Sequence, residues 1–320
     1  MAANASNRPI ITGSWLDFHH PNFREGDYWN DTTRRFSAQD WDRKVAEMAG
    51  LGMDTLVLLS VALRGASFYP SRHFARRWDL LCEDPVEAVL AAADRHGMKV
   101  FVGVGYFAHH TGDHVGDAED KRLRAVIPQE LVERYGHHSS FHGWYLPVEA
   151  GIQGHFPAAF LDYANELCGS CRAADAEKPI LIAPYGTRTV VPDACFIDQL
   201  RSLDVDYVAY QCEVGVRKTR VEELDGIFSR LKAVHEQAGV PLWADVEIFT
   251  FEGETYKSPL LPAPFERVQR QLEAIAPHVE KLLCYQFLGM MNPPNSPVFA
   301  GHPSSAELYT RYRQWALSWA

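Results

Sequence analysis

The chain has 320 residues, 47% hydrophobic and 22% charged, which suits one large apolar core. Its formal net charge of −10 excludes a polyanion such as nucleic acid as partner, because phosphate binding needs clustered Lys and Arg. No run approaches the roughly 18 apolar residues of a membrane span, and "MAANASNRP" carries no positive segment followed by an apolar one, so no membrane partner and a cytoplasmic location are expected, a trimmed leader being the alternative.

After residues 1–7, expected to be a flexible tail, short apolar runs alternate with longer amphipathic ones. "RPIITGSWLDF" (8–18) precedes the helical "SAQDWDRKVAEMAGLG", and "MDTLVLLSVAL" (53–63) precedes "DPVEAVLAAADRHG". "KVFVGVGYF" (99–107) leads to a helix around "PQELVERYG", and "FHGWYLPVE" (141–149) to "PAAFLDYANELCGSCRAAD". The second half repeats the scheme: "PILIAPYG" (179–186) with "FIDQLRSL", and "DYVAYQCE" (206–213) with "RVEELDGIFSRLKAVHEQAG". "PLWADVEIF" (241–249) is followed by "PFERVQRQLEAIAPHVE", and "KLLCYQFLG" (281–289) by "SAELYTRYRQWALSWA".

Eight strands alternating with eight helices imply parallel strands, right-handed crossovers and a single α/β domain over residues 1–320, a (β/α)8 TIM barrel. A doubly wound nucleotide-binding sheet would carry a Gly-rich loop after its first strand, and none is present, so no cofactor is expected. Gly52, Gly97, Gly136 and Gly239 each stand just before the next strand, as helix stops do. The long connections, at 18–36, 64–83, 107–122, 250–264 and 289–303, all follow strands. Excess length on that one face predicts a substrate cleft at the C-terminal strand ends. The six cysteines are scattered and read as reduced, buried thiols; "CGSC" (168–171) lies on a helix rather than at a strand-to-helix turn, which argues against a redox pair.

The predicted strand ends supply the polar groups of that cleft. Strand 1 offers Trp15, Asp17, His19 and His20; strand 3 offers Tyr106, His109 and His110; strand 4 offers Tyr145 and Glu149; strand 5 offers Tyr185. Strand 6 offers Tyr210, Gln211 and Glu213, strand 7 Trp243, Asp245 and Glu247, and strand 8 Tyr285, Gln286 and Asn292. Alternation turns Tyr145, Pro147 and Glu149 inward and Trp144, Leu146 and Val148 outward. It likewise turns Trp243, Asp245 and Glu247 inward, with Leu242, Ala244, Val246 and Ile248 outward. Two glutamates across one mouth suit glycoside cleavage, in which one carboxyl protonates the leaving oxygen and another attacks the anomeric carbon.

The pattern resembles clan A glycoside hydrolases, which implies Glu149 as acid/base and Glu247 as nucleophile of a retaining enzyme. More closely, "ITGSWLDF", "WDRKVAEMAGLGMDTLVLLSV" and "FHGWYLPVEAG" resemble an uncharacterised bacterial barrel family near that clan, domain of unknown function 4434. The clan places Asn before its acid/base Glu, to bind the sugar 2-hydroxyl; this chain has Val148 there. The expected partner is an oligosaccharide or glycoside. Asp17, His19, Gln211, Glu213 and Asp245 are candidate hydroxyl-binding groups, and Tyr106, Tyr145, Tyr185, Tyr210, Trp243 and Tyr285 candidate hydrogen-bonding or stacking walls.

Two other readings stay open: a carbohydrate-binding barrel without catalysis, and a metal-dependent hydrolase or isomerase. For the second, only His19, His20, His109, His110 and His114 reach toward the cleft, and strands 5 to 8 end without histidine, so no metal is expected.

Overall fold

The computed structural model describes residues 8–107 and 116–319; the predicted tail and His109, His110 and His114 lie outside them. Eight parallel strands close into a ring: β1 (Gly13–Leu16), β2 (Thr55–Leu58), β3 (Lys99–Gly103), β4 (Phe141–Leu146), β5 (Ile180–Ile182), β6 (Tyr207–Gln211), β7 (Leu242–Glu247) and β8 (Lys281–Tyr285). Each pairs with its sequence neighbour, and β8 closes on β1 through Gly13↔Leu283. The main helices are α1 (Ala38–Gly50), α2 (Pro85–His96), α3 (Ala118–Tyr135), α4 (Ala158–Ala174), α5 (Ala194–Ser202), α6 (Leu224–Ala238), α7 (Phe265–Ile275) and α8 (Ser305–Ala316). The protein is therefore a (β/α)8 barrel, as the alternation predicts.

Local chemistry starts these helices. Ser37 and Asp40 form a reciprocal capping box ahead of α1, and Asp84, Asp117 and Asp193 each accept an N–H in the first turn of α2, α3 and α5. Gly52, Gly97 and Gly239 take left-handed backbone at or just after helix ends, whereas Gly136 has φ −61° and ends α3 without that turn.

Alternation along the strands makes two cores. Inward residues, one from each strand (Trp15, Val57, Phe101, Tyr145, Leu181, Ala209, Trp243 and Leu283), plug the barrel. Large rings pack edge to face, as in Trp15 on Tyr145 at 5.8 Å and Phe101 on Trp243 at 5.9 Å. The outward residues (among them Leu56, Val102, Trp144, Ile182, Val208 and Val246) bury against the helices in a second, larger core. Both faces of each strand are thus removed from water, which is why these strands read as nearly continuous apolar runs.

The loops on the C-terminal face are tied together. Past β7, Phe249–Phe251 pairs antiparallel with Leu260–Pro262 to make a hairpin. The Asn22 side chain donates to the Tyr256 carbonyl at 3.1 Å, and the Leu260 N–H donates to the Glu25 carbonyl at 3.1 Å. These bonds join the loop after β1 to the hairpin. Cys168 and Cys171 are both buried within α4, where burial pushes the Cys168 thiol up to about 12, so they are inert packing groups; only Cys195 is exposed.

Candidate active site

Above the aromatic plug the strand ends open into a cavity of about 700 Å³. Eight of the predicted groups line it: Tyr106, Glu149, Tyr185, Gln211, Glu213, Asp245, Glu247 and Tyr285. They come from strands 3 to 8, so only closure of the ring brings them together.

Glu247 ends β7 and is 3% exposed. It accepts an N–H from Val216 at 3.0 Å, and the Gly215 amide also favours its charge. Burial outweighs these donors and pushes its carboxyl up to about 7. The backbone beneath it is clamped: Gln271 on α7 donates to the Glu247 carbonyl at 3.1 Å, as does the half-buried Arg267 at 3.1 Å.

Glu149 stands three residues beyond β4, is exposed, and lines the cavity. The surrounding protein pushes its carboxyl up to about 7, against the opposing pull of the Gln211 amide and the Lys218 ammonium. Alternation stops with the strand at Leu146, so Pro147, Val148 and Glu149 all line the cavity. Val148, expected to face only the helices, is 9% exposed and joins both the outer core and the cavity wall.

Glu213 sits at φ +55°, which turns the chain sharply after β6. Its carboxylate accepts the N–H groups of Gly186 at 3.0 Å and Thr187 at 2.9 Å, so one side chain holds the turn after β5 in place. Lys218 lies 3.9 Å from the same carboxylate and over the rings of Tyr185 and Tyr256, at 4.8 and 5.7 Å. Gln211 donates to the Ala183 carbonyl at 3.2 Å, which aims the rest of its amide at Glu149.

Five predicted groups fall outside the cavity lining. Tyr210 neighbours Gln211 and therefore points the other way: it is buried in the outer core, its hydroxyl 3.0 Å from Nε2 of His235 on α6. Tyr145 and Trp243 point inward but one layer too low, in the plug, where Trp243 stacks on Tyr207 at 4.2 Å. Asp17 is buried behind the wall, accepting from Gln286 at 3.1 Å and Tyr285 at 3.4 Å, so it positions Tyr285. His19 packs against Phe23 and Trp78, and burial pushes its imidazole down; the next residue, His20, lines the cavity instead.

Residues the strand-end reading passed over also line the site: Asn22, Glu25, Val216, Lys218, Phe249 and Tyr256. Burial pushes the Glu25 carboxyl up, against His20 3.7 Å away and the Asn22 amide. Phe249 opens the hairpin past β7 and shares the inward parity of Asp245 and Glu247; the other five lie in loops, where no periodicity assigns a side chain to a face. The long loops after β1 and β7 are the available signal for Asn22, Glu25 and Tyr256, whereas nothing in the sequence marks Val216 and Lys218.

Among the described residues two groups offer three converging metal ligands, Glu87 with His137 and His138, and His155 with Asp193 and Cys195. Neither includes a cavity residue, and both nitrogens of His138 are already bonded, to Asp94 at 2.6 Å and Glu87 at 3.0 Å. No helix among the described residues is long and apolar enough to cross a membrane.

The fold is similar to that of several solved structures. One, from Bacteroides thetaiotaomicron VPI-5482 and described as a proposed alpha-L-fucosidase, is 22% identical, with a TM-score of 0.74 over 98% of this chain and 95% of its own. The endo-beta-1,4-mannanase from Thermotoga petrophila is 11% identical, with a TM-score of 0.59 over 97% of this chain and 77% of its own. The endo-1,4-beta-mannanase from Rhizomucor miehei is 9% identical, with a TM-score of 0.59 over 96% of this chain and 95% of its own. No curated protein matches the sequence. The model of the domain of unknown function DUF4434 matches residues 11–299, and the chain belongs to that family.

Proposed function

We propose that this protein hydrolyses a glycosidic bond in an oligosaccharide or glycoside, with retention of anomeric configuration. The observation that carries the reading is one cavity receiving two glutamates from β4 and β7, three strands apart on an eight-strand ring, each with its carboxyl raised to about 7. Near neutral pH such a pair holds about one proton between two carboxyls, the charge state that acid-assisted displacement requires.

The surroundings divide the roles. Glu247 receives backbone N–H groups and is sealed by Arg267 and Gln271 below, which suits a fixed, ionised nucleophile. Glu149 faces the open cavity, where a leaving oxygen and then water arrive, which suits a group that gives up a proton and takes it back. In the first step Glu247 attacks the anomeric carbon while Glu149 protonates the departing oxygen. In the second, Glu149 removes a proton from water, which displaces Glu247 and restores the configuration. The barrel neighbours described as a proposed fucosidase and as mannanases support the glycan class.

The test uses a panel of 4-nitrophenyl glycosides, with product anomers followed by NMR. Glu149→Gln and Glu247→Gln are each expected to lose at least roughly a thousandfold in kcat with the fold intact. A 2-deoxy-2-fluoro glycoside of the best sugar is expected to label Glu247. Full turnover by either variant refutes the assignment, and inverted product refutes the retaining step. Binding without hydrolysis across the panel favours the carbohydrate-binding reading, for which apolar Val148 beside Glu149 is the supporting observation.

A further inference from the structure

A further carboxyl of this cavity, Asp245, has no evident share in the reaction. Asp245 lies on the inner face of β7, two residues before Glu247, and is 4% exposed. Its Oδ1 is sealed from solvent and has no hydrogen-bond partner. The other buried carboxylates of the site are all engaged: Glu247 by Val216, Glu213 by Gly186 and Thr187, and Asp17 by Gln286.

Little around Asp245 compensates a negative charge: the Tyr285 backbone favours it, while Glu247 and Glu149 oppose it. The groups that act on it are Glu247 on its own strand, Glu149 across the cavity, and the backbone of Tyr285. Leu283 is its register partner on β8, beside buried Cys284, and Gln211 its partner on β6, beside buried Cys212. Below lies Tyr145 of the plug. Lys218 pulls on Glu149, but no cation figures among the influences on Asp245. An isolated buried charge costs several kcal/mol, and a buried polar atom without a partner is itself destabilising. A residue kept under both conditions on a cavity wall is explained by a ligand that satisfies it.

We propose that Asp245 binds a ring hydroxyl of the substrate as a neutral carboxylic acid, donating and accepting together, and not as a charged carboxylate. Burial and the two flanking glutamates hold its carboxyl well above the usual carboxylate range, consistent with that state. The substrate class narrows accordingly, to glycosides that carry a free hydroxyl at the ring position facing β7. The inference rests on the glycosidase reading for its kinetic test and on sugar binding alone for its second test.

Asparagine has the shape of a protonated aspartate and also donates and accepts, so it separates the two roles. With the best 4-nitrophenyl glycoside, Asp245→Asn is expected to keep kcat/KM within roughly fivefold of the parent, and Asp245→Leu to lose roughly a hundredfold. On monodeoxy versions of that glycoside (2-, 3-, 4- and 6-deoxy), the Leu penalty is expected to vanish for one analogue and persist for the rest. An Asn variant as impaired as the Leu variant overturns the proposal, since a charge is then required. So does an Asp245→Leu variant at parental kcat/KM, or a penalty equal across all four analogues.

The second measurement needs no turnover and keeps the Leu result interpretable. Calorimetric titration of the parent glycoside into Glu149→Gln, with and without Asp245→Leu, is expected to show at least tenfold weaker binding in the double variant. Thermal unfolding of each variant reports whether the fold survives; should the Leu variant unfold, the Asn comparison decides alone. If the wild-type protein binds sugars without hydrolysing them, the glycosidase reading fails while the Asp245 contact is still judged by calorimetry. Absence of any sugar binding overturns both.

Discussion

Replacing Glu247 by Gln should make the protein more stable as it removes the proposed nucleophile, and the gain should grow with pH. Glu247 is 3% exposed, and its carboxyl rises from 4.5 to about 7 on folding. The native protein therefore holds this proton over a pH interval in which the unfolded chain has released it. Below 4.5 both states are protonated and the group costs nothing. Through the interval stability falls as pH rises, and above about 7 the full cost is present. At about 1.4 kcal/mol per pH unit, the interval amounts to about 3 kcal/mol. Glutamine still accepts the Val216 N–H and carries no charge, so the variant escapes this cost. Asp245, which Glu247 pushes up, is relieved in the same direction.

The advantage of Glu247→Gln over the parent should therefore widen by about 2 kcal/mol between about pH 5.5 and about pH 8.5. Urea unfolding of both proteins at the two pH values measures it, and a common m-value establishes that stability alone has changed. A gain that is the same at both pH values refutes the claim that the native carboxyl is raised. A loss of stability at the higher pH refutes the picture of a destabilising buried carboxylate altogether.

Two further outcomes are expected elsewhere. Lys218 favours the charged form of Glu149, so Lys218→Gln should move the Glu149-dependent limb of the pH profile of kcat/KM to higher pH; an unmoved or lowered limb contradicts the contact. On the opposite face burial pulls the His138 imidazole down, but its bonds to Asp94 and Glu87 outweigh this and the net direction is up. That stability is fully present below about 6.5 and is lost as pH rises through the folded value. His138→Gln should flatten the alkaline loss, which denaturant midpoints across about pH 6 to 9 would show, and an unchanged slope excludes it.

The sequence by itself determined the architecture, because eight alternations of apolar strand and amphipathic helix admit one closed arrangement in which every apolar face finds a partner. It also determined that Glu149 and Glu247 belong to one mouth, since strand order places their ends and parity turns Asp245 and Glu247 the same way. Parity was available for Tyr210 too, and Gln211 beside it marks the opposite face.

Depth was not available. Tyr145 and Trp243 share the inward parity of Asp245 but lie in the plug, because the level of a residue in a barrel depends on strand stagger and on how the neighbouring rings fill the axis. The loops were equally closed to periodicity. His20 rather than His19 faces the cavity because His19 is packed between Phe23 and Trp78, and Lys218 and Tyr256 arrive through turns with positive φ at Glu213, Arg217 and Tyr256. Strand residues are placed by a local repeat of two, whereas these side chains are placed by contacts between segments far apart in the chain, and only the tertiary structure holds those contacts.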